Sequence, residues 1–148
     1  MKNEGRQDTI RLRVPGETRY LWLIRSVVTA MARDAGFEDA EVDKIEIAVD
    51  EACANVMDHA YRDVSPKPPL ELEVRVAEGR FVVDVLDRGL SFDFNSYTPP
   101  QFPDHWMNGK TRGVGLYIIR KCMDDAQYER LSDKTNRLRL IKNLQPVA

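Results

Sequence analysis

The run Ile47-Ala48-Val49-Asp50-Glu51-Ala52-Cys53-Ala54-Asn55-Val56-Met57-Asp58-His59-Ala60-Tyr61 constrains this chain more than any other stretch. It predicts a helix that is apolar on one face and yet carries a carboxylate and a carboxamide one turn apart. Glu51 and Asn55 stand at i and i+4, so their side chains project from the same face, one above the other. A glutamate able to accept a proton, stacked on an asparagine whose carbonyl can hold a hard cation, suits phosphoryl transfer. An isolated E-x-x-x-N is most simply two polar residues on a solvent face. The flanking apolar residues tell against that here, because they put the pair at the edge of the buried surface.

The remaining elements can be laid around this helix in chain order. Ile10, Leu12 and Val14 alternate with Arg11 and Arg13, the pattern of a half-buried strand over 9–14, which Pro15-Gly16 ends. From about Thr18 the apolar residues Leu21, Ile24, Val28, Met31 and Ala35 step by threes and fours, as one buried helical stripe requires, with Gly36 as the stop. The acidic stretch Glu38–Lys44 leads into the central helix, whose core side is Val42, Ile45, Val49, Ala52 and Val56. Ser65-Pro66-Lys67-Pro68-Pro69 breaks it. Leu70 to Val76 alternates again, Glu78-Gly79 is a hairpin turn, and Phe81–Leu86 is apolar enough for an interior strand pairing antiparallel with it. Asp87 to Gly115 lacks periodicity, and a loop of that length is expected to be functional or disordered rather than filler. A helix over 114–123 and two closing strands over 127–131 and 137–142 follow. Helices gathered on one side of a mostly antiparallel sheet make an α+β sandwich in a single domain.

Two further constellations point at a nucleotide. Asp87-Arg88-Gly89 follows the interior strand directly. Such a pair often marks only a tight turn, but Asp87 can also accept a hydrogen bond from an exocyclic amine while Gly89 lets backbone approach a flat ring. Asn108-Gly109-Lys110-Thr111-Arg112-Gly113-Val114-Gly115-Leu116 leads into a helix, where glycines expose N–H groups to an anion and Lys110 and Arg112 add charge. The spacing is neither a Walker loop nor a Rossmann fingerprint. His59, one turn beyond Asn55, is most simply a packing or hydrogen-bonding residue. Arg11, Arg13 and Arg25 are solvated charges or part of a partner surface.

Taken in order, DEACANVMDHAY at 50–61, DRGLSFD at 87–93 and RGVGLYIIRKCMDD at 112–125 resemble the Bergerat-fold (GHKL, histidine-kinase-like) ATPases. Within them the sequence is most similar to the anti-sigma factor serine-protein kinases of bacterial partner-switching systems. The resemblance runs over nearly the whole chain. It implies one domain over 1–148, a two-layer Bergerat sandwich whose mixed, mostly antiparallel sheet carries its helices on one face, with an ATP lid at about 94–112. It also implies ATP and Mg2+ as cofactors, Glu51 as general base and Asn55 as magnesium ligand. Asp87 becomes the carboxylate that reads the adenine amino group, with Gly89 beside it. Gly113, Val114, Gly115 and Leu116 become the second glycine box, with Lys110 and Arg112 toward the phosphates. The implied partners are a STAS-domain anti-anti-sigma protein phosphorylated on serine, a sigma factor or other regulated protein, and a second copy in a homodimer. The alternative is a non-catalytic, nucleotide-gated binding module controlling a partner other than a sigma factor. Two departures stand out: Asp58 where many relatives carry a basic residue, and Asp133-Lys134-Thr135-Asn136-Arg137 in place of a Gly-rich turn and Thr, which bears on a phosphate-side contact.

Composition narrows the classes further. With 22 basic against 24 acidic residues and a net charge of -2, bulk binding to nucleic acid or anionic membrane is not expected. No apolar run approaches the roughly 18 residues of a membrane span, and the start MKNEGRQD is no signal peptide, so a cytoplasmic protein is expected. Cys53 and Cys122, far apart within helical patterns, read as two buried reduced thiols, and no zinc spacing is present.

Overall fold

Period-two alternation decides which face of each strand is buried, and the sheet follows from it. In a computed structural model, residues 8–89, 111–132 and 134–144 are described, with 111–114 described by backbone alone. The elements are β1 (Thr9–Pro15), α1 (Leu21–Ala35), α2 (Asp39–Asn55), β2 (Pro69–Ala77), β3 (Arg80–Asp87), α3 (Thr111–Cys122), β4 (Asp125–Ser132) and β5 (Thr135–Asn143). The strands form one sheet in the order β1-β2-β3-β5-β4. Every pairing among the described strands is antiparallel, so the expected parallel admixture is absent from them. The reason is topological: the chain between β3 and β4 crosses to the far edge, and the β4–β5 hairpin then folds back to lay β5 antiparallel beside β3.

The three helices cover one face. Leu70, Leu72 and Val74 of β2, Phe81, Val83 and Val85 of β3, and Leu138 and Leu140 of β5 meet Ile24 and Val28 of α1, Ile45, Val49 and Ala52 of α2, and Leu116 and Ile119 of α3 in one core. Gly36 stops α1 as expected, at φ 105, a left-handed conformation that glycine takes without a Cβ penalty. The acidic stretch before the central helix is its first turn instead: α2 starts at Asp39, and Asp39 and Glu41 there favour the positive end of the helix dipole. Cys53 is buried and Cys122 half-buried, both free thiols.

The other face of the sheet is a lattice of charges. Asp84, only 1% exposed at the centre of β3, accepts from Arg139 Nε (2.8 Å) and Nη2 (3.0 Å) and from Arg75 Nη1 (3.1 Å) on the flanking strands. Burial raises its carboxyl, but the two guanidiniums outweigh burial and hold it below the ordinary carboxylate range. Arg11 and Arg13 of β1 sit against Glu73 and Glu71 of β2, as surface pairs that each contribute little. No helix among the described residues is long and apolar enough to cross a membrane.

Candidate functional site

The helix that the sequence singled out does not end at Asn55. It runs on through a π-helical segment, Val56–Ala60, where Tyr61 N–H donates to Val56 O at 2.9 Å, an i→i+5 bond. Widened turns of this kind are frequent at functional sites. Here the extra residue brings Tyr61 inward, where it is fully buried. From Glu51 to Ala60 the rod advances about 13 Å at ~1.5 Å per residue, the length scale of a nucleoside triphosphate rather than of one phosphate.

At the Glu51 end, α3 packs against α2. A Cβ at Gly115 would lie 3.0 Å from Glu51 Oε2 and 3.2 and 3.3 Å from the Asn55 carboxamide atoms. Glycine is therefore what lets the α3 backbone seat directly on the acid–amide pair, and buried Leu116 and Ile119 hold it there. The helix starts at Thr111, earlier than the glycines suggested, so Gly113 and Gly115 lie inside its first turns rather than before them. Packing on α2 overrides their poor helix propensity, about 1 kcal/mol each. Burial raises the Glu51 carboxyl above its ordinary value, and the charges of Asp50 and Asp58 add to it. Arg25 Nη1 donates to Asp50 Oδ1 at 2.7 Å, tying α1 to α2 beside the pair. Beyond Asn55, His59 is half-buried and lines, with Met57, Asp58 and Lys67, a cleft of about 470 Å³ against Gly16–Thr18.

The other end is built on the β3–β5 pairing, whose register sets Asp87 opposite Asn136. Asp87 is 8% exposed and Asn136 fully buried. Gly89 N–H and Asn136 Nδ2 both donate to Asp87 Oδ1, at 2.8 and 3.1 Å, and Asn136 Nδ2 also donates to Gly89 O at 2.9 Å. Burial pushes the Asp87 carboxyl up, and the bonds from Asn136 and Gly89 and the charge of Arg130 partly offset it. Tyr61 braces the turn from below: its hydroxyl accepts from Arg88 N–H (2.8 Å) and donates to Pro69 O (3.2 Å). A Cβ at Gly89 would meet Ala60 Cβ at 2.5 Å, so the turn lies flush on the end of the helical rod.

The arrangement brings Glu51, Asn55, Gly115 and Leu116 together, and it places Asp87 and Gly89 at the far end of the same rod. Arg112, Gly113 and Val114 belong to the first turn of α3. Lys110, and most of the segment expected to be a lid, lie outside the described residues, as do Leu90–Asp93. Among the described residues no group of three or more His, Cys, Asp or Glu side chains could hold a metal unaided. A cation at Asn55 would complete its shell from phosphate oxygens and water, which is how magnesium is ordinarily held. Of the departure before the last strand, Asn136 lies beside Asp87, and Asp133 is outside the described residues. Sequence reading missed Tyr61, Asn136 and Arg130. For Asn136 a signal existed: the alternation Asn136, Leu138, Leu140, Lys142 puts an amide in a core-facing row, where it must find partners.

Residues 14–142 match the histidine kinase-like ATPase domain family. The serine-protein kinase RsbW of Bacillus subtilis (strain 168) is 33% identical over 142 residues, covering 91% of this chain and 85% of that protein. RsbW of Bacillus velezensis is 33% identical over 135 residues, 86% and 82% of the two chains. In fold, the chain is similar to the RsbU and RsbW domains of a Mycobacterium tuberculosis protein, with a TM-score of 0.64 at 15% identity over 94% of this chain and 34% of that one. It is also similar to a chain of the SiaB–SiaC complex from Pseudomonas aeruginosa, with a TM-score of 0.59 at 12% identity, covering 89% and 88%.

Proposed function

The chain belongs to the histidine kinase-like ATPase domain family, among the relatives of serine-protein kinase RsbW, and from that membership we propose how it acts. It is an ATP-dependent serine-protein kinase and anti-sigma-type regulator. Its substrate is a STAS-domain anti-anti-sigma protein, and it sequesters a sigma factor until the unphosphorylated antagonist displaces that factor. It works in the cytoplasm as a homodimer. A structural neighbour, SiaB, is known in complex with SiaC, which supports a protein partner for this fold.

The observation that supports the reading is the seat of Gly115 on Glu51 and Asn55, with a carboxylate and a carboxamide together under the first turns of α3. Asp87 accepts the adenine amino group beside the Gly89 peptide, whose missing side chain lets the turn seat on Ala60. Asn55 would hold Mg2+, which would supply neutralisation of phosphate charge when bound. Glu51 takes the proton of the incoming serine hydroxyl. The serine oxygen bonds to the γ-phosphorus while the bond from phosphorus to the β–γ bridging oxygen breaks, and ADP leaves with that electron pair. Its raised carboxyl makes Glu51 a better base than an exposed glutamate.

The test is transfer of label from ATP, with magnesium, to STAS-domain proteins of the same genome, beside Glu51→Ala. General-base help is typically worth about 10²–10⁴-fold, so the variant should bind ATP and lose transfer by that factor. Label on a partner serine that persists undiminished in Glu51→Ala would overturn the assignment. ATP binding without transfer to any candidate would instead favour a nucleotide-gated binder.

A further inference from the structure

Asn136 belongs to the run that departs from the family's Gly-rich turn and Thr, and its own contacts lie at Asp87. Its carboxamide is fully buried and spends both of its functions on named partners. Nδ2 donates to Asp87 Oδ1 (3.1 Å) and to Gly89 O (2.9 Å), while Oδ1 accepts from Arg130 Nη1 (3.0 Å). Arginine has only donors, so the Arg130 contact requires the amide oxygen to face it and the amide nitrogen to face Asp87. The orientation of the amide is thereby fixed from a neighbouring strand.

This has a consequence for Asp87. Among the described residues, the hydrogen bonds from Asn136 and from Gly89 N–H both fall on Oδ1. The carboxylate is anchored through one oxygen, which presents Oδ2 to an incoming donor. Asn136 also grips the carbonyl of Gly89, so the carboxylate and the peptide that would flank a base are clamped to each other by one side chain. A buried acceptor held this way discriminates strongly between a ligand that donates to it and an isostere that does not, because the isostere leaves it unpaired.

We propose that Asn136, oriented by Arg130, is a positioning residue that sets the preference of the site for a 6-amino purine by fixing which oxygen of Asp87 faces the base. The inference rests on the reading of Asp87 as the adenine acceptor. It assigns the specificity to a pair on β4 and β5 at the Asp87 end of the rod.

The experiment compares binding of ATP with that of purine riboside 5′-triphosphate, which lacks the 6-amino group, for the full chain and for Asn136→Ala, Asn136→Thr, Arg130→Gln and Asp87→Asn. The readout is the ratio of the two dissociation constants, which a fraction of misfolded protein or a change in overall charge leaves unaltered. Wild type should favour ATP by tenfold or more, about the worth of a hydrogen bond to a charged group. Asn136→Ala should bring the ratio close to one. Arg130→Gln, on an exposed side chain, should lower it severalfold, and Asn136→Thr should retain part of it through its hydroxyl donor. If Asp87→Asn collapses the ratio but both Asn136 variants and Arg130→Gln keep the wild-type value, the inference is wrong and the adenine reading stands. A ratio that survives Asp87→Asn overturns the adenine reading and the inference with it. Should Asn136→Ala fail to fold, Asn136→Thr and Arg130→Gln decide the question.

Discussion

Gly115→Ala separates what the site needs from what the fold needs. The residue lies in the second turn of α3, where replacing glycine by alanine ordinarily stabilises a helix by about 1 kcal/mol. Against that gain, the new methyl would sit 3.0 Å from Glu51 Oε2 and 3.2 and 3.3 Å from the Asn55 amide, so those groups must give by a few tenths of an ångström. Both are the far ends of flexible side chains, and moving them off their rotamers costs about 0.5–1.5 kcal/mol. The terms nearly cancel, so the free energy of unfolding in urea should stay within about 1 kcal/mol of wild type. Catalysis has no such compensation. A misplacement of ~1 Å in a positioned group costs about 10²-fold, so a shift of a few tenths, applied to the proposed base Glu51 and to Asn55 together, should slow phosphotransfer about tenfold. The assay is single-turnover transfer at saturating ATP, with chemical denaturation run on the same preparation. Wild-type transfer by a normally folded Gly115→Ala would show that the close seat of α3 on Glu51 and Asn55 is not what the chemistry requires.

Other perturbations follow from the charge environment. Glu51→Gln should abolish transfer yet raise stability at neutral pH, because the folded state holds the Glu51 carboxyl above its ordinary value and thus penalises the ionised form. The sign fixes the window: the difference should be largest above the raised value and vanish as pH falls below the unfolded carboxylate pKa, where both side chains are neutral. Asp84→Asn should act in the opposite sense. It removes the anion that pairs Arg75 and Arg139, whose side chains are 21% and 26% exposed, and the partial hydration left to them limits the cost to about 2 kcal/mol. That loss should be full above the ordinary carboxylate pKa and fade as pH drops through the depressed value of Asp84, as read by urea denaturation at several pH values. Lys142→Met removes an ammonium that donates to Cys122 O (2.7 Å) at the end of α3 and pairs with Glu41 Oε2 (3.0 Å). Its side chain is 7% exposed, so the variant should lose about 1–3 kcal/mol and show faster amide exchange at the C-terminal turn of α3 than at its middle.

How much of this was legible before the structure divides along a physical line. Elements whose burial is decided by their own pattern were readable: β1 and β2 from alternation, β3 from its continuous apolar run, α1 and α2 from their apolar stripes, and the stop at Gly36. Glu51 over Asn55 was readable for the same reason, since helical spacing alone puts them on one face. The start of α3 was not, because local propensity argues against a helix through Gly113 and Gly115, and it is contact with another helix that favours it. The π-helical continuation of α2 left no trace in composition, although it is what carries Tyr61 under the Asp87–Gly89 turn.

The Asp87–Gly89 end shows the limit most sharply. Period two along β5 places Asn136 and Lys142 in the same inward row as Leu138 and Leu140, and an amide and an ammonium in such a row each demand a partner. That demand is visible in the sequence, but its answer depends on the register of β5 against β3, across 49 positions of chain. Shifting that register by one residue would turn Arg137 toward Asp87 and move Asn136 to the charged face. The register is held by Leu138 and Leu140 facing Val85 and Val83 in the core and by Arg139 facing Asp84 on the opposite side. The geometry of Asp87, the carboxylate proposed to read the base, is thus fixed by the pairing at the centre of the sheet.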